Sequence, residues 1–312
     1  MIGIGNNILM RNNIIAVGDG QIQFVGYQSA YIYKSIDFGV TWNILSSYPA
    51  SNNRAICISK DGSIIMVFRA GTTVYPAKST DGGETWTNIT ASGYINAFVA
   101  EISESGQYQL VAGSGVWYST DYGETFTPIT GLDASSYRGA CLSGDGQYMS
   151  VASSNGSIWR SANYGSTWGA VTGTSGSVWQ SITMSKNGQY QTALKWTSYP
   201  YVSTDYGVSF SVKTSTGTRS WRTARCSSTG QYQVVVSNDS GYIFISTNYG
   251  STWTSKTLGE WRGIGISGDG QYILVGADTN YIAYSSDYGA SFTKDTSWGI
   301  GSTNVIEIIK TT

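Results

Sequence analysis

One eight-residue pattern constrains this chain more than anything else in it. Ser79-Thr80-Asp81-Gly82-Gly83-Glu84-Thr85-Trp86 is one of seven copies of Ser-x-Asp/Asn-x-Gly-x-Thr/Ser-Trp/Phe, centred on Asp37, Asp81, Asp121, Asn163, Asp205, Asn248 and Asp287. The intervals are 44, 40, 42, 42, 43 and 39 residues. That period is the length of a four-stranded propeller blade.

A short side-chain acceptor followed two positions later by glycine suits a tight turn. Asp or Asn bonds the turn's own N–H groups, and glycine supplies a positive φ at little steric cost. The closing Trp42, Trp86, Trp168, Trp253, Phe126, Phe210 or Phe292 is large enough to pin the hairpin to the core. Asn163 and Asn248 stand where other copies carry Asp, so the position requires an acceptor and not a charge. Its role is read as structural, with neither catalysis nor metal binding. The pattern resembles the Asp-box, or BNR, repeat of sialidases, sortilin-type receptors, some glycoside hydrolases, photosystem assembly factors and several lectins. The resemblance implies a propeller whose boxes sit in peripheral hairpins, away from the ligand site. It implies little about activity, because that family hosts unrelated functions.

Composition excludes several classes. The 312 residues contain no histidine, which removes His-based triads and His-ligated zinc. Charged residues make up 12%, and 18 basic against 19 acidic side chains leave no nucleic-acid stripe. The polar surface must come from Ser, Thr, Asn, Gln and 23 Tyr, a composition that suits sugar binding and permits self-association. Cys57, Cys141 and Cys226 fall in repeats two, four and six and read as buried free thiols. No apolar run approaches a membrane span and no secretory signal is seen. An extracellular, virion or cell-surface setting is favoured.

A second turn, Ser-x-x-Gly-Gln-Tyr in its commonest form, recurs between the first, at Gly20, Gly62, Gly106, Gly146, Gly188, Gly230 and Gly270. Apolar residues alternate before it, as in Ile56/Ile58 and Ile182/Met184, and aliphatics follow it, as in Tyr232-Gln233-Val234-Val235-Val236. Period two means strand. Four strands per unit predict an all-β chain, a seven-bladed β-propeller of four-stranded antiparallel blades in one domain. The blade repeats are 11–46, 53–90, 96–130, 137–172, 179–214, 221–257 and 261–296, with 1–10 and 297–312 as terminal strands that close the ring.

In such a ring both turn motifs share one face. On the other face Asn53-Arg54, Tyr137-Arg138, Trp179-Gln180, Trp221-Arg222 and Trp261-Arg262 recur nine and eight residues before the turn glycine. These pairs either seal the joints between blades or contact a ligand at the channel mouth. The binding set predicted here is Arg138, Trp179, Trp221, Arg222, Trp261 and Arg262, flanked by Tyr75, Trp196 and Tyr199 from loops that depart from the repeat. Five residues before the turn glycine, Ile15, Cys57, Glu101, Cys141, Thr183, Arg225 and Gly265 are expected to face the channel axis. Glu101 and Arg225 would then neutralise each other across it.

Sialidase chemistry would need an arginine triad, a Tyr/Glu nucleophile and an Arg-Ile-Pro signature in a six-bladed ring, and the signature is missing here. No two carboxylates on the open face stand in a convincing glycosidase relation. The reading is therefore a non-catalytic binding propeller, without cofactor or metal, that recognises a neutral glycan. The alternative is a structural or assembly protein that uses the open face as a protein interface.

Overall fold

The computed structural model describes residues 13–17, 22–26, 32–36, 41, 43–48, 53–69, 74–133, 136–238, 241–257, 261–277 and 282–295; at 13–17, 22–26, 257, 261, 262, 277, 282 and 295 it describes the backbone alone. The proposed closing segments 1–10 and 297–312, and Asp37 of the first motif, lie outside the described residues.

The described residues form seven sheets of four antiparallel strands, each taken in chain order from innermost to outermost. The innermost strands are Asn13–Val17, Asn53–Ile58, Ala97–Ile102, Tyr137–Leu142, Trp179–Met184, Trp221–Cys226 and Trp261–Ile266. These carry the alternating apolar residues before the turn glycine. The chain is a seven-bladed β-propeller. One 3₁₀ turn, Thr214–Thr216, is the only helix among the described residues, and none is long and apolar enough to cross a membrane. The outermost strands are short, mostly two residues, as at Thr87–Asn88 and Gly169–Ala170. Short edges leave little backbone open to pairing with another chain.

The core lies between blades. Ile182 and Met184 of blade five pack with Cys141 and Ala152 of blade four, while Ala140 of blade four packs with Leu110 and Ala112 of blade three. Alternate residues of an inner strand thus face opposite neighbours. The register of Glu101 and Arg225 faces the following blade, and both side chains act on the Cys141 thiol, although Arg225 stands two blades away from it. Cys57 packs with Ala97 and Ala100 of the next blade, and Thr183 Oγ1 lies 3.6 Å from Cys226 Sγ of the next. Arg225 donates to the Ala224 carbonyl at 3.1 Å. Burial pushes the Cys141 thiol up, with Glu101 adding to the shift and Arg225 opposing it.

The repeated eight residues form the hairpin between third and fourth strands. Ser119 Oγ donates to Asp121 Oδ1 at 2.7 Å, and Gly123 N–H donates to Ser119 Oγ at 2.9 Å. Thr125 donates to Asp121 twice, from N at 3.0 Å and from Oγ1 at 2.6 Å. Where Asn replaces Asp, the last bond reverses, and Asn163 Nδ2 donates to Thr167 Oγ1 at 2.9 Å. The residue after the Asp or Asn was not foreseen to be special. Tyr122, Tyr164, Tyr206, Tyr249 and Tyr288 all take left-handed backbone, with φ between 58° and 62°.

Inner turns of neighbouring blades are joined by backbone hydrogen bonds. Lys60 N–H donates to Glu104 O, Glu104 to Gly144, Gly144 to Lys186, Lys186 to Ser228 and Ser228 to Gly268, at 2.7 to 3.0 Å. Hydrogen-bonded backbones about 4.8 Å apart in a ring of seven lie about 5.5 Å from the axis, so this end of the channel is narrow. Glu104 bridges across Gly144 to Lys186 Nζ at 2.5 Å and also meets Lys60 Nζ at 3.6 Å.

Candidate functional site

Six of the seven inner strands break register with the second strand at one position. In blade four Tyr137 pairs with Ser153 and Gly139 with Ala152, which leaves Arg138 unmatched. The same break extrudes Arg54, Phe98, Gln180, Arg222 and Arg262. Each is a β-bulge, a device that re-aims a side chain without ending the strand. The bulges lie at the end of the inner strands opposite the turn motifs, so the extruded residues ring the channel mouth.

The bulge divides each predicted pair between two roles. Its first member enters the core: Trp179 and Trp221 are 1% and 0% exposed. Trp179 Nε1 donates to Thr174 O at 3.0 Å and the ring meets Tyr201 edge-on at 5.0 Å. Trp221 Nε1 donates to Ser198 O at 2.8 Å and the ring meets Phe244 at 5.5 Å. Placing these two tryptophans at the mouth is therefore corrected, because a satisfied indole in a closed joint has nothing left to offer a ligand. The second member lies at the surface. Arg138 is exposed, while Arg54, Gln180 and Arg222 are half-buried. The side chains of Trp261 and Arg262 lie outside what is described.

Arg54 and Arg138 reach toward the next blade, and Arg222 toward its own and the preceding one. Arg138 Nη1 donates to Gln180 Oε1 at 2.9 Å. Arg54 donates to Asn96 Oδ1 at 3.2 Å and lies 5.3 Å from the Phe98 centroid. Arg222 donates to Asn238 Oδ1 at 3.1 Å and stands 5.9 Å from the ring of Trp196. Trp196 is 39% exposed, beside Val178 at 43%. Tyr75 stacks on Tyr94 at 4.6 Å, a hydrogen bond between the two phenols raises the Tyr75 pKa, and the Arg69 guanidinium holds the Tyr75 carbonyl at 2.6 Å. Tyr199 is half-buried in the loop after Trp196. The structure thus groups Arg138 with Gln180, Arg222 with Trp196 and Asn238, and Tyr75 with Tyr94.

Sequence reasoning missed Phe98, Asn96 and Tyr94, because blade three has Ala97-Phe98 in place of an aromatic–arginine pair. A signal was nevertheless present. In Trp179-Gln180-Ser181-Ile182 the buried aromatic and the next core residue are three apart, and period two cannot place both on one face without an extra residue between them.

Charge divides the two ends of the propeller. Arg54, Arg69, Arg138, Lys195, Arg219 and Arg222 lie at or around the bulge end. Among the described residues at this end the carboxylates are Asp133 and Asp295, the latter described by its backbone alone, and Asp133 accepts from Trp159 Nε1 at 2.8 Å and Ser157 N at 3.0 Å. Asp239, Glu260 and Asp278 fall outside the described residues. At the hairpin end the inner turns carry Asp61, Glu104, Asp145 and Asp269, and the outer hairpins carry Asp81, Glu84, Asp121, Glu124, Asp205 and Asp287. Lys60 and Lys186 of those turns are both on Glu104. From the third and fourth strands Lys78 pairs with Glu124 at 2.5 Å, while Lys34, Arg160 and Lys256 donate to hairpin carbonyls of the next blade, so acids outnumber bases at this end without excluding them. Among the described residues no three His, Cys, Asp or Glu side chains stand where they could share a metal ion.

Fold and site together define a seven-bladed propeller that displays extruded side chains at one end of its axis. No family model and no curated protein matches the sequence. Among solved structures the chain is similar to YCF48 from Cyanidioschyzon merolae, at 13% identity over 91% of this chain and 98% of that one, with a TM-score of 0.66. It is similar also to YCF48 bound to D1 peptide, at 12% identity over 87% and 94%, with a TM-score of 0.63. An ancestral GH74 enzyme aligns at 15% identity over 91% of this chain and 48% of its own, with a TM-score of 0.58. At these identities the likeness is one of fold.

Proposed function

We propose that this propeller is a non-catalytic recognition module whose bulge face binds a protein segment. The observation that carries the reading is the bulge repeated in six blades, which spends regular pairing to display Arg54, Phe98, Arg138, Gln180 and Arg222 in one ring. Arginine and aromatic side chains are the residues that dominate protein interfaces. Tyr94, Phe98, Val178 and Trp196 add exposed apolar area on the same face. A propeller of this fold is known bound to a peptide, in YCF48 with D1 peptide. The resemblance of the hairpins to Asp-boxes agrees with a ligand site on the opposite face. Asp133 has both oxygens engaged by the fold, which speaks against acid–base work by that residue.

Neutral-glycan recognition is the second reading, favoured by the exposed Trp196 indole with Asn238 nearby through Arg222. The two readings separate by selecting a random peptide library against the protein in parallel with a glycan array. Enriched peptides that lose about tenfold affinity on Arg138→Ala or Trp196→Ala support the protein reading. Glycan binding with that same sensitivity, and no enriched peptide, replaces it with the second.

A further inference from the structure

The two ends of the propeller complement each other in charge, in radius and in aromatic content. The basic ring and the acidic inner turns stand on the same innermost strands, at opposite ends. Arg54, Arg138 and Arg222 lie eight residues before the turn glycine, and Asp61, Asp145 and Asp269 lie one residue before it. Both rings therefore share one axis and nearly one radius. Ser59 Oγ donates to Asp61 at 2.5 Å and holds its carboxyl below the usual range, so it stays charged at neutral pH. Outside the inner acids lies an arc of tyrosine pairs that bridge neighbouring blades. Tyr164 stacks on Tyr108, Tyr206 on Tyr148, Tyr249 on Tyr190 and Tyr288 on Tyr232, with centroids 4.3 to 4.7 Å apart. Tyr122, Tyr164, Tyr206 and Tyr288 are 36 to 44% exposed. Guanidinium groups are attracted both to carboxylates and to tyrosine faces.

We infer that the partner fitted by the bulge face is the hairpin face of a second copy of this chain, so that propellers stack coaxially, head to tail. This rests on reading the bulge face as a protein interface, and it names the occupant. A net charge of −1 hardly opposes such contact, because the attraction comes from the separation of charge and not from its sum. Each copy keeps one face of each kind free after pairing, so the contact is heterologous and extends into short columns as concentration rises. The backbone bonds between inner turns, with the Glu104–Lys186 bridge over them, give the hairpin face a rigid centre against which the arginine ring can seat.

Sedimentation velocity over a concentration series tests the inference, at about 10 mM salt, where the Debye length is ~30 Å, and at about 1 M, where it is ~3 Å. Two variants use residues that the repeat already tolerates at the same positions. Arg138→Gln with Arg222→Gln follows Gln180 and disables the bulge face; Asp61→Asn, Asp145→Asn and Asp269→Asn together follow Asn187 and neutralise the hairpin face. The wild type should sediment faster with concentration at low salt and as a monomer at high salt. Each variant alone should weaken association at least about tenfold. An equimolar mixture of the two should form dimers and nothing longer, since one intact face of each kind remains. A wild type that stays monomeric at low salt overturns the inference, as does association that survives high salt or either variant. Peptides from the library selection are assayed at high salt, where stacking is absent. Binding there with no stacking leaves the protein-segment reading in place and removes only this partner.

Discussion

Gln109, Gln191 and Gln233 occupy one position, at the start of the second strand in blades three, five and six, and the preceding blade decides what each is worth. Gln191 Oε1 accepts from Ser150 Oγ at 3.0 Å, and Gln233 Oε1 accepts from Thr192 Oγ1 at 2.5 Å. Blade two offers Gln109 only Met66 at the matching register, opposite Cys57 as Ser150 is opposite Cys141. The Gln109 Oε1 atom is consequently buried without a hydrogen-bond partner. An unsatisfied buried acceptor costs about 1–3 kcal/mol. Blade four shows the alternative, since Met149 fills this position fully buried. Gln109→Met should therefore leave stability unchanged or raise it. Gln191→Met should lose about 1–2 kcal/mol, because it strands the Ser150 hydroxyl. Urea denaturation of both variants checks this, and equal losses would show that the partner across the blade joint is irrelevant.

At the scale of the element, strand order and turn positions were legible because their signals are local. Ile56/Ile58 and Ile182/Met184 alternate within one strand, and the Asp or Asn acceptor closes a turn within four residues of itself. The bulge was not legible, because it is a mismatch between two strands and demands no residue type: Arg54, Phe98 and Gln180 share it with nothing else in common. The pair Trp221-Arg222 was consequently read as a unit when the fold sends its members to opposite environments. The left-handed tyrosines were hidden for a related reason, since blade two places Gly82 there with φ 69° while five other hairpins place tyrosine. Left-handed backbone costs an L-residue roughly 1–2 kcal/mol, and an aromatic stack returns about 0.5–1.5 kcal/mol. Tyr206→Ala keeps the strain and loses the stack on Tyr148, so it should destabilise by about 1–3 kcal/mol. Tyr206→Gly sheds both and should stay within about 1 kcal/mol of wild type, as Gly82 does in its own hairpin. Thermal melts of the pair decide the matter; an alanine variant no worse than the glycine variant would mean that the stacks, and not the backbone, set the energy.

At the scale of the whole ring, four described hairpins carry carboxylates that the fold stabilises in their charged form. The Ser291 hydroxyl, with its backbone N–H, brings Asp287 down to about 2, and the Thr85 hydroxyl holds Asp81 well below the usual carboxylate range. For Asp121 and Asp205 partial burial pulls upward, but hydrogen bonds from Thr125 and Ser209 outweigh it and both are lowered. A carboxyl whose folded pKa lies below its unfolded one contributes stability that is fully present above about pH 4. That contribution is lost as pH falls through the folded values, toward about 2 for Asp287. Four hairpins around one ring should therefore weaken together as acid is added, while those built on Asn163 and Asn248 do not titrate at that position. Replacing Asp81, Asp121, Asp205 and Asp287 by Asn should keep the fold at neutral pH, because Asn163 makes the same three contacts with one donor reversed. The same variant should show a shallower fall of Tm between neutral pH and pH about 2 than the wild type. Melts across that range are the measurement. A variant that loses Tm in acid as steeply as the wild type would place the acid sensitivity elsewhere, with Glu104 and its two lysines the next group to remove.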